Sequence, residues 1–166
     1  MLKLLEEFFE NAHGRKTVAI ELLRLGLRVD SRGKIFFGNI EVPPAKIARA
    51  LSIDRRVVIA TGQAIARDNK LLQIFYRLEP RAFMGNAAKE LGFDTIELRA
   101  DPKKKGIVAA VSKIIADDGI VIRQIMSDDP ELFPDPVLTV IIDGKLPSRT
   151  MKKLKEAKFA HSLLIK

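Results

Sequence analysis

Residues 95–124 read TIELRADPKKKGIVAAVSKIIADDGIVIRQ, and this stretch decides the fold of the C-terminal half. Ile96, Leu98 and Ala100 alternate with Thr95, Glu97 and Arg99, the period of a strand with one covered face. After the break at Asp101-Pro102 and the loop ending in Gly106, Ile107, Val108, Val111, Ile114 and Ile115 recur at helical spacing as a buried stripe, closed by Gly119. Working outward, Ile120 to Met126 and Val137 to Ile142 are β-rich runs, joined by a proline-broken acidic loop too long for a tight hairpin. Pro147 opens a second helix with Met151 and Leu154 inward, and Phe159 to Ile165 supplies a last strand. Strand, helix, strand, strand, helix, strand predicts a sheet with both helices on one face. It also leaves the helix start after Gly106 where a small anionic ligand can dock.

The whole chain has 166 residues, 47% of them apolar, enough for two small packed domains. No uninterrupted apolar run is long enough to span a bilayer, and the opening MLKLLEEFFENAH is acidic and amphipathic, unlike a signal peptide. The expectation is a soluble, cytoplasmic protein with no membrane partner. Cysteine is absent, which excludes disulfides and thiolate metal sites and leaves only His13 and His161 as imidazole ligands. No metal or other cofactor is expected. Net charge is +8, and the excess leans toward the first half, with 14 basic against 9 acidic residues up to Glu79 and 15 against 12 beyond it. Such a balance favours a polyanionic partner.

In the first half, Leu2 to Ala12 places Leu4, Leu5, Phe8 and Phe9 on one helical stripe, with Gly14 as its stop. A second helix is expected over Thr17 to Leu25, capped by Gly26. Leu27 and Val29, a turn at 30–33 and the run Lys34 to Phe37 describe a hairpin that would serve as a wing, with Arg32 and Lys34 at its tip. Pro43 and Pro44 open the next helix. Ile47, Ala48 and Leu51 face inward, Ser52-Ile53 turns, Asp54 caps a second helix and Val58 returns to the core. That spacing is a helix-turn-helix. Further helices are expected over Lys70 to Leu78 and Ala82 to Leu91. The reading is α+β: a winged helix-turn-helix-like unit over 1–79, a connector helix within 80–93 and a βαββαβ ferredoxin-like domain over 94–166.

If the helix after Asp54 enters a major groove, its outward stripe is Arg56, Ala60, Gln63 and Arg67, extended by Arg55. Arginine can bind guanine and glutamine adenine through paired hydrogen bonds, while Lys46 and Arg49 can hold phosphates. The same arginines also suit a merely solvated helix face.

The segment DPKKKGIVAAVSKIIADDGIVIRQ resembles the ACT domain, a regulatory module of amino-acid metabolism, and the resemblance covers 94–166. Asp101, Gly106, the helix Ile107 to Ala116 and the step Gly119-Ile120 carry it, and Lys105 stands where the family usually has proline. The whole chain is similar to an archaeal family of predicted regulators of amino-acid metabolism, linked to homoserine dehydrogenase. The resemblance implies that two copies pair through the second strand as a dimer or tetramer. An amino acid would then lie between Asp101, Gly106, Ile107 and Val108 of one copy and Gly119, Ile120, Val121 and Ile122 of the other.

Physical chemistry places an anion at the same point. The first N–H groups after Gly106 have no helical acceptor, and a carboxylate there gains about 0.3–1 kcal/mol from the helix dipole. Asp101 can pair with a ligand ammonium; in the plainer reading it turns the chain before Pro102. The run Lys103 to Lys105 reads as a solvated loop or as an acceptor of an anionic effector.

No nucleophile elbow, phosphate loop or dinucleotide motif is present, and Asp117-Asp118 and Asp128-Asp129 read as solvated turn residues. The RNA-recognition module shares this element order, but TIELRA and VLTVIID lack its stacking aromatics. The expectation is a non-enzymatic, amino-acid-sensing regulator with a DNA-binding output. Its alternative is an allosteric subunit of a biosynthetic enzyme that binds no DNA.

Overall fold

The computed structural model describes residues 2–101, 104–157 and 161–166. The chain divides into two compact units, Met1–Arg81 and Ala82–Lys166. Among the described residues no helix is long and apolar enough to cross a membrane.

The first unit runs α1 (Leu2–Phe8), α2 (His13–Arg24), β1 (Arg28–Val29), β2 (Ile35–Phe37), β3 (Ile40–Glu41), α3 (Pro44–Leu51), α4 (Arg55–Arg67) and α5 (Asn69–Phe75). Leu5, Val18, Leu22, Val29, Ile35, Val58, Ile65 and Phe75 form its core. Helix α2 begins four residues before the expected Thr17. Thr17 does not cap it: its hydroxyl donates to the carbonyl of His13 one turn back, at 3.1 Å. Gly14 therefore lies inside α2, not at a helix end. A Cβ there would sit 3.3 Å from the Val57 side chain, so the glycine serves a close helix crossing.

Gly26 ends α2 as expected, at φ 64°, with Gly26 N–H donating to Leu23 and Leu27 N–H to Leu22. The hairpin gains a third short strand, β3, in antiparallel register with β2. Pro44 starts α3, and Asp68 caps α5 by accepting from Leu71 N–H at 2.8 Å, which sets its start at Asn69.

The second unit runs β4 (Asp94–Arg99), α6 (Ile107–Asp117), β5 (Ile122–Ser127), β6 (Leu138–Ile142), α7 (Ser148–Glu156) and β7 (Ser162–Ile165). All neighbours are antiparallel in the order β5-β6-β4-β7. Ile96, Leu98, Val140 and Ile142 of the sheet pack with Val111, Ile115 and Leu154 of the two helices. The expected start of the last strand, Phe159, lies outside the described residues.

The expected connector helix over Ala82–Leu91 is replaced by an extended segment, turns and a single 3-10 turn at Lys89–Leu91. Gln124 of β5 accounts for the extended part. Its side-chain amide donates to the Ala82 carbonyl at 2.8 Å, and its oxygen accepts from Met84 N–H at 3.1 Å. Backbone groups that a helix would have paired internally are thus taken by the sheet. This segment lies on the face opposite the helices, where Thr95 donates to the Gly85 carbonyl and the Arg123 guanidinium sits 5.0 Å over the Phe93 ring. Strand β6 is consequently covered on both faces, and all five of its residues are buried.

Asp118 departs from the solvated-turn reading. Its side chain is only 6% exposed and accepts from Thr150 Oγ1 and Lys153 Nζ, both at 2.7 Å, joining the end of α6 to α7. The hydrogen bonds from Lys153 and Thr150 outweigh desolvation and hold its carboxyl below the ordinary aspartate value.

Candidate functional site

At the end of β4 the chain passes Ala100 and Asp101, and the Asp101 carbonyl accepts from Lys104 N–H at 2.9 Å. Pro102 and Lys103 lie outside the described residues. Gly106 follows at φ 84°, in the N-cap position of α6, with no side chain to cap the helix. A Cβ there would meet nothing within 4 Å, so the left-handed backbone, not lack of space, calls for glycine. The first bond of the helix runs from Ala110 N–H to the Gly106 carbonyl, which leaves the N–H groups of Ile107, Val108 and Ala109 outside the helical ladder.

These groups open on a cavity of about 560 Å³ lined by Asp101, Lys104, Gly106, Ile107 and Val108, closed behind by Leu98, Ser127 and Val137. Val108 was expected in the buried stripe of α6 but is 44% exposed at this cavity; Val111 and Ile115 carry the stripe instead. The lining brings the amide donors at the start of α6 and Asp101 together with apolar Leu98, Ile107 and Leu138. That donor set can take a small zwitterion with a modest side chain.

The other four expected ligand positions are elsewhere. Gly119, at φ 74°, and Ile120 close the far end of α6, with Gly119 N–H on Ala116 and Ile120 N–H on Ile115. Ile120 and Ile122 pack partly into their own core, and Val121 is 58% exposed. Within one chain these residues do not line the cavity. They lead into β5, an edge strand of the sheet that begins at Ile122.

In the first unit, α3 and α4 meet through Ser52, which takes φ 55°, the left-handed conformation that glycine usually supplies. Asp54 caps α4, accepting from Arg56 N–H at 2.7 Å, and the Arg56 guanidinium returns to the same carboxylate at 2.9 Å. These hydrogen bonds from Arg56 pull the Asp54 carboxyl down to about 2. Lys46, Arg49, Arg55, Arg56, Gln63 and Arg67 are all exposed. Ala60 is half-buried, and Ile59, which the sequence reading passed over, is exposed in the middle of the stripe. The signal for it was its four-residue step from Arg55 and Gln63.

The hairpin tip is not a free wing. Asp30 gathers it by accepting from Arg32 and Lys34 N–H, each at 2.9 Å, and the turn lies against α4, where Gly33 meets the backbone of Gly62 and Gln63. Burial raises the Asp30 carboxyl, but the Lys34 and Arg32 contacts win and hold it below its ordinary value. Lys34 is turned to Glu41 at 2.8 Å, while the Arg32 side chain stays 76% exposed.

His13 opens α2, and His161 donates its backbone N–H to the Arg99 carbonyl at 2.7 Å. Among the described residues no group of three or more His, Cys, Asp or Glu is placed to hold a metal.

No known family model matches the chain, and no curated protein sequence matches it. Among solved structures, the ligand-free regulatory subunit of aspartate kinase from Thermus thermophilus aligns over 46% of this chain at 20% identity, with a TM-score of 0.39. The chain spans about half of that protein's length, 51%. The structure of a protein titled PH0061 aligns over 75% of this chain and 78% of its own, at 11% identity and a TM-score of 0.24. The mixed α+β architecture with two antiparallel sheets rests on the strand register given above, not on these partial likenesses.

Proposed function

We propose that the chain is an amino-acid-responsive regulator, whose second unit is a ferredoxin-like ACT-type sensor and whose first unit is a helix-turn-helix-like reader of duplex DNA. One observation carries the sensor reading: Asp101, Gly106, Ile107 and Val108 converge on one cavity at the unladdered start of α6. A ligand carboxylate is received by the N–H groups of Ile107 to Ala109, and Asp101 takes the ammonium. Strand β5, with Ile125 exposed on it and Val121 exposed just before it, pairs with β5 of a second copy and brings the backbone of 119–122 to the partner's cavity.

Amide NMR tests this directly. Addition of the bound amino acid should displace the Ile107, Val108 and Ala109 resonances and those of 119–122 in the full chain. Shifts confined to the first unit would remove the sensor assignment.

A second reading, an allosteric subunit docking on a biosynthetic enzyme, is favoured by a different observation. In the first unit Leu25 and Phe37 are 57% and 52% exposed beside an apolar cleft floored by Leu22, Leu27 and Ile47. The two readings separate on DNA. A regulator binds duplex DNA with an affinity that falls steeply with salt, and a subunit does not.

A further inference from the structure

An apolar side chain interrupts the exposed polar stripe of α4. Arg55, Ile59, Gln63 and Arg67 follow one another at four-residue steps along the 13-residue helix, and Ile59 is 40% exposed among them. Its neighbours on the inward face, Val58, Thr61, Gly62 and Ile65, are buried, so the core of the unit is complete without it. Half-buried Ala60 beside it keeps the middle of the stripe low, which permits close approach of a flat partner.

Resting on the DNA-binding reading of this helix, we propose that Ile59 is a base-reading residue that packs on the C5-methyl group of a thymine, about two base pairs from an adenine held by Gln63. A major groove offers one apolar feature, the thymine methyl, and an adenine offers the paired donor and acceptor that a glutamine amide matches. Four residues of helix advance about 6 Å. Successive base pairs lie about 3.4 Å apart. Ile59 and Gln63 therefore address base pairs about two steps apart, and the half-site contains A·T pairs at both. Arg55 and Arg67, at the two ends of the stripe, fall on the flanking phosphates or guanines. Arg56 is held by the Asp54 carboxylate and contributes charge more than base contact.

The experiment selects duplexes from a randomised pool with the full chain and then replaces each thymine of the selected half-site, singly, by deoxyuridine, which lacks only the methyl group. For the wild-type chain one replacement should weaken binding about fourfold, the weight of one buried methyl. Ile59→Ala should bind thymine and deoxyuridine duplexes equally, at the wild-type deoxyuridine level or below, and Ile59→Val should keep a reduced preference. Melting temperatures of both variants should match the wild type, since the side chain is outside the core. If every replacement is neutral, or if Ile59→Ala keeps the full preference, the assignment of Ile59 is overturned while DNA binding stands. If the full chain selects no duplex and shows no salt-dependent DNA affinity, the DNA-binding reading falls and this inference falls with it.

Discussion

Gly33 and Gly62 touch backbone to backbone: the Gly33 carbonyl lies where a Cβ on Gly62 would have to go, and a Cβ on Gly33 would lie 2.9 Å from the Gln63 nitrogen. The hairpin and α4 are thereby locked at a distance that only two glycines permit. Gly62→Ala should destabilise the first unit by about 3 kcal/mol or more, the top of the overpacking range, because the obstruction is backbone. Gly38→Ala is the control, because Gly38 also has positive φ but an added Cβ meets nothing within 4 Å. It should cost only the backbone term, about 1–2 kcal/mol. Urea unfolding of both variants checks the difference. Equal losses would mean that the hairpin yields freely against the helix.

Ser52 should be a site of easy stabilisation. It is the single non-glycine residue at positive φ among the described residues, in the turn between α3 and α4. Ser52→Gly removes the Cβ strain and keeps the backbone bonds from Ser52 to Arg49 and from Ile53 to Ala48. A gain of about 1 kcal/mol in unfolding free energy is expected.

Acid should loosen two named contacts. Asp54 and Asp118 both have folded-state values below the ordinary 3.8. Each therefore contributes stability that is present above that value and is lost as pH falls through the depressed one. For Asp54 the window lies between about 4 and about 2. Carbon-detected NMR titration should find the Asp54 midpoint near 2, and Arg56→Ala should move it back toward 3.8. Asp118→Asn should lower the melting temperature at neutral pH and flatten the fall in stability below pH 4. A midpoint for Asp54 unmoved by Arg56→Ala would reject the attribution to that guanidinium.

Gln124 should control the segment before β4. Gln124→Ala removes the partners of Ala82 and Met84 together, at a cost of about 1–3 kcal/mol. Hydrogen exchange at Met84 should accelerate, while exchange in β6 stays slow.

Much of this molecule is written in local patterns. The alternation of TIELRA, the stripe ending at Gly119 and the unbroken run LTVII lead to β4, α6 and β6 because period and burial agree there. The α3-turn-α4 segment is equally legible, from Pro44, Ser52 and the cap at Asp54. What the sequence hides depends on distant partners. The segment around Ala82 has helical composition, but Gln124, 42 residues away, takes its backbone groups. Gly14 looks like a helix stop until Val57 is seen above it. Asp118 looks like a solvated turn residue until Thr150 and Lys153 close on it.

The same division holds at the candidate site. Asp101, Gly106, Ile107 and Val108 are close in sequence and share one cavity, whereas its other lining residues Ser127, at the end of β5, and Val137, just before β6, are assigned to it by no local pattern. Ile59 is hidden because an apolar residue on an amphipathic helix is read inward by default, and only its exposure in the fold places it outward.

The central claim, that an amino acid is received at the start of α6, is tested most directly by thermal unfolding of the full chain against each of the twenty amino acids. At 100 times its dissociation constant a bound ligand adds about 2.7 kcal/mol, which raises the midpoint measurably. The account predicts stabilisation by one or a few amino acids, lost in Asp101→Ala although that variant folds. No stabilisation by any of the twenty, or stabilisation undiminished in Asp101→Ala, would contradict it.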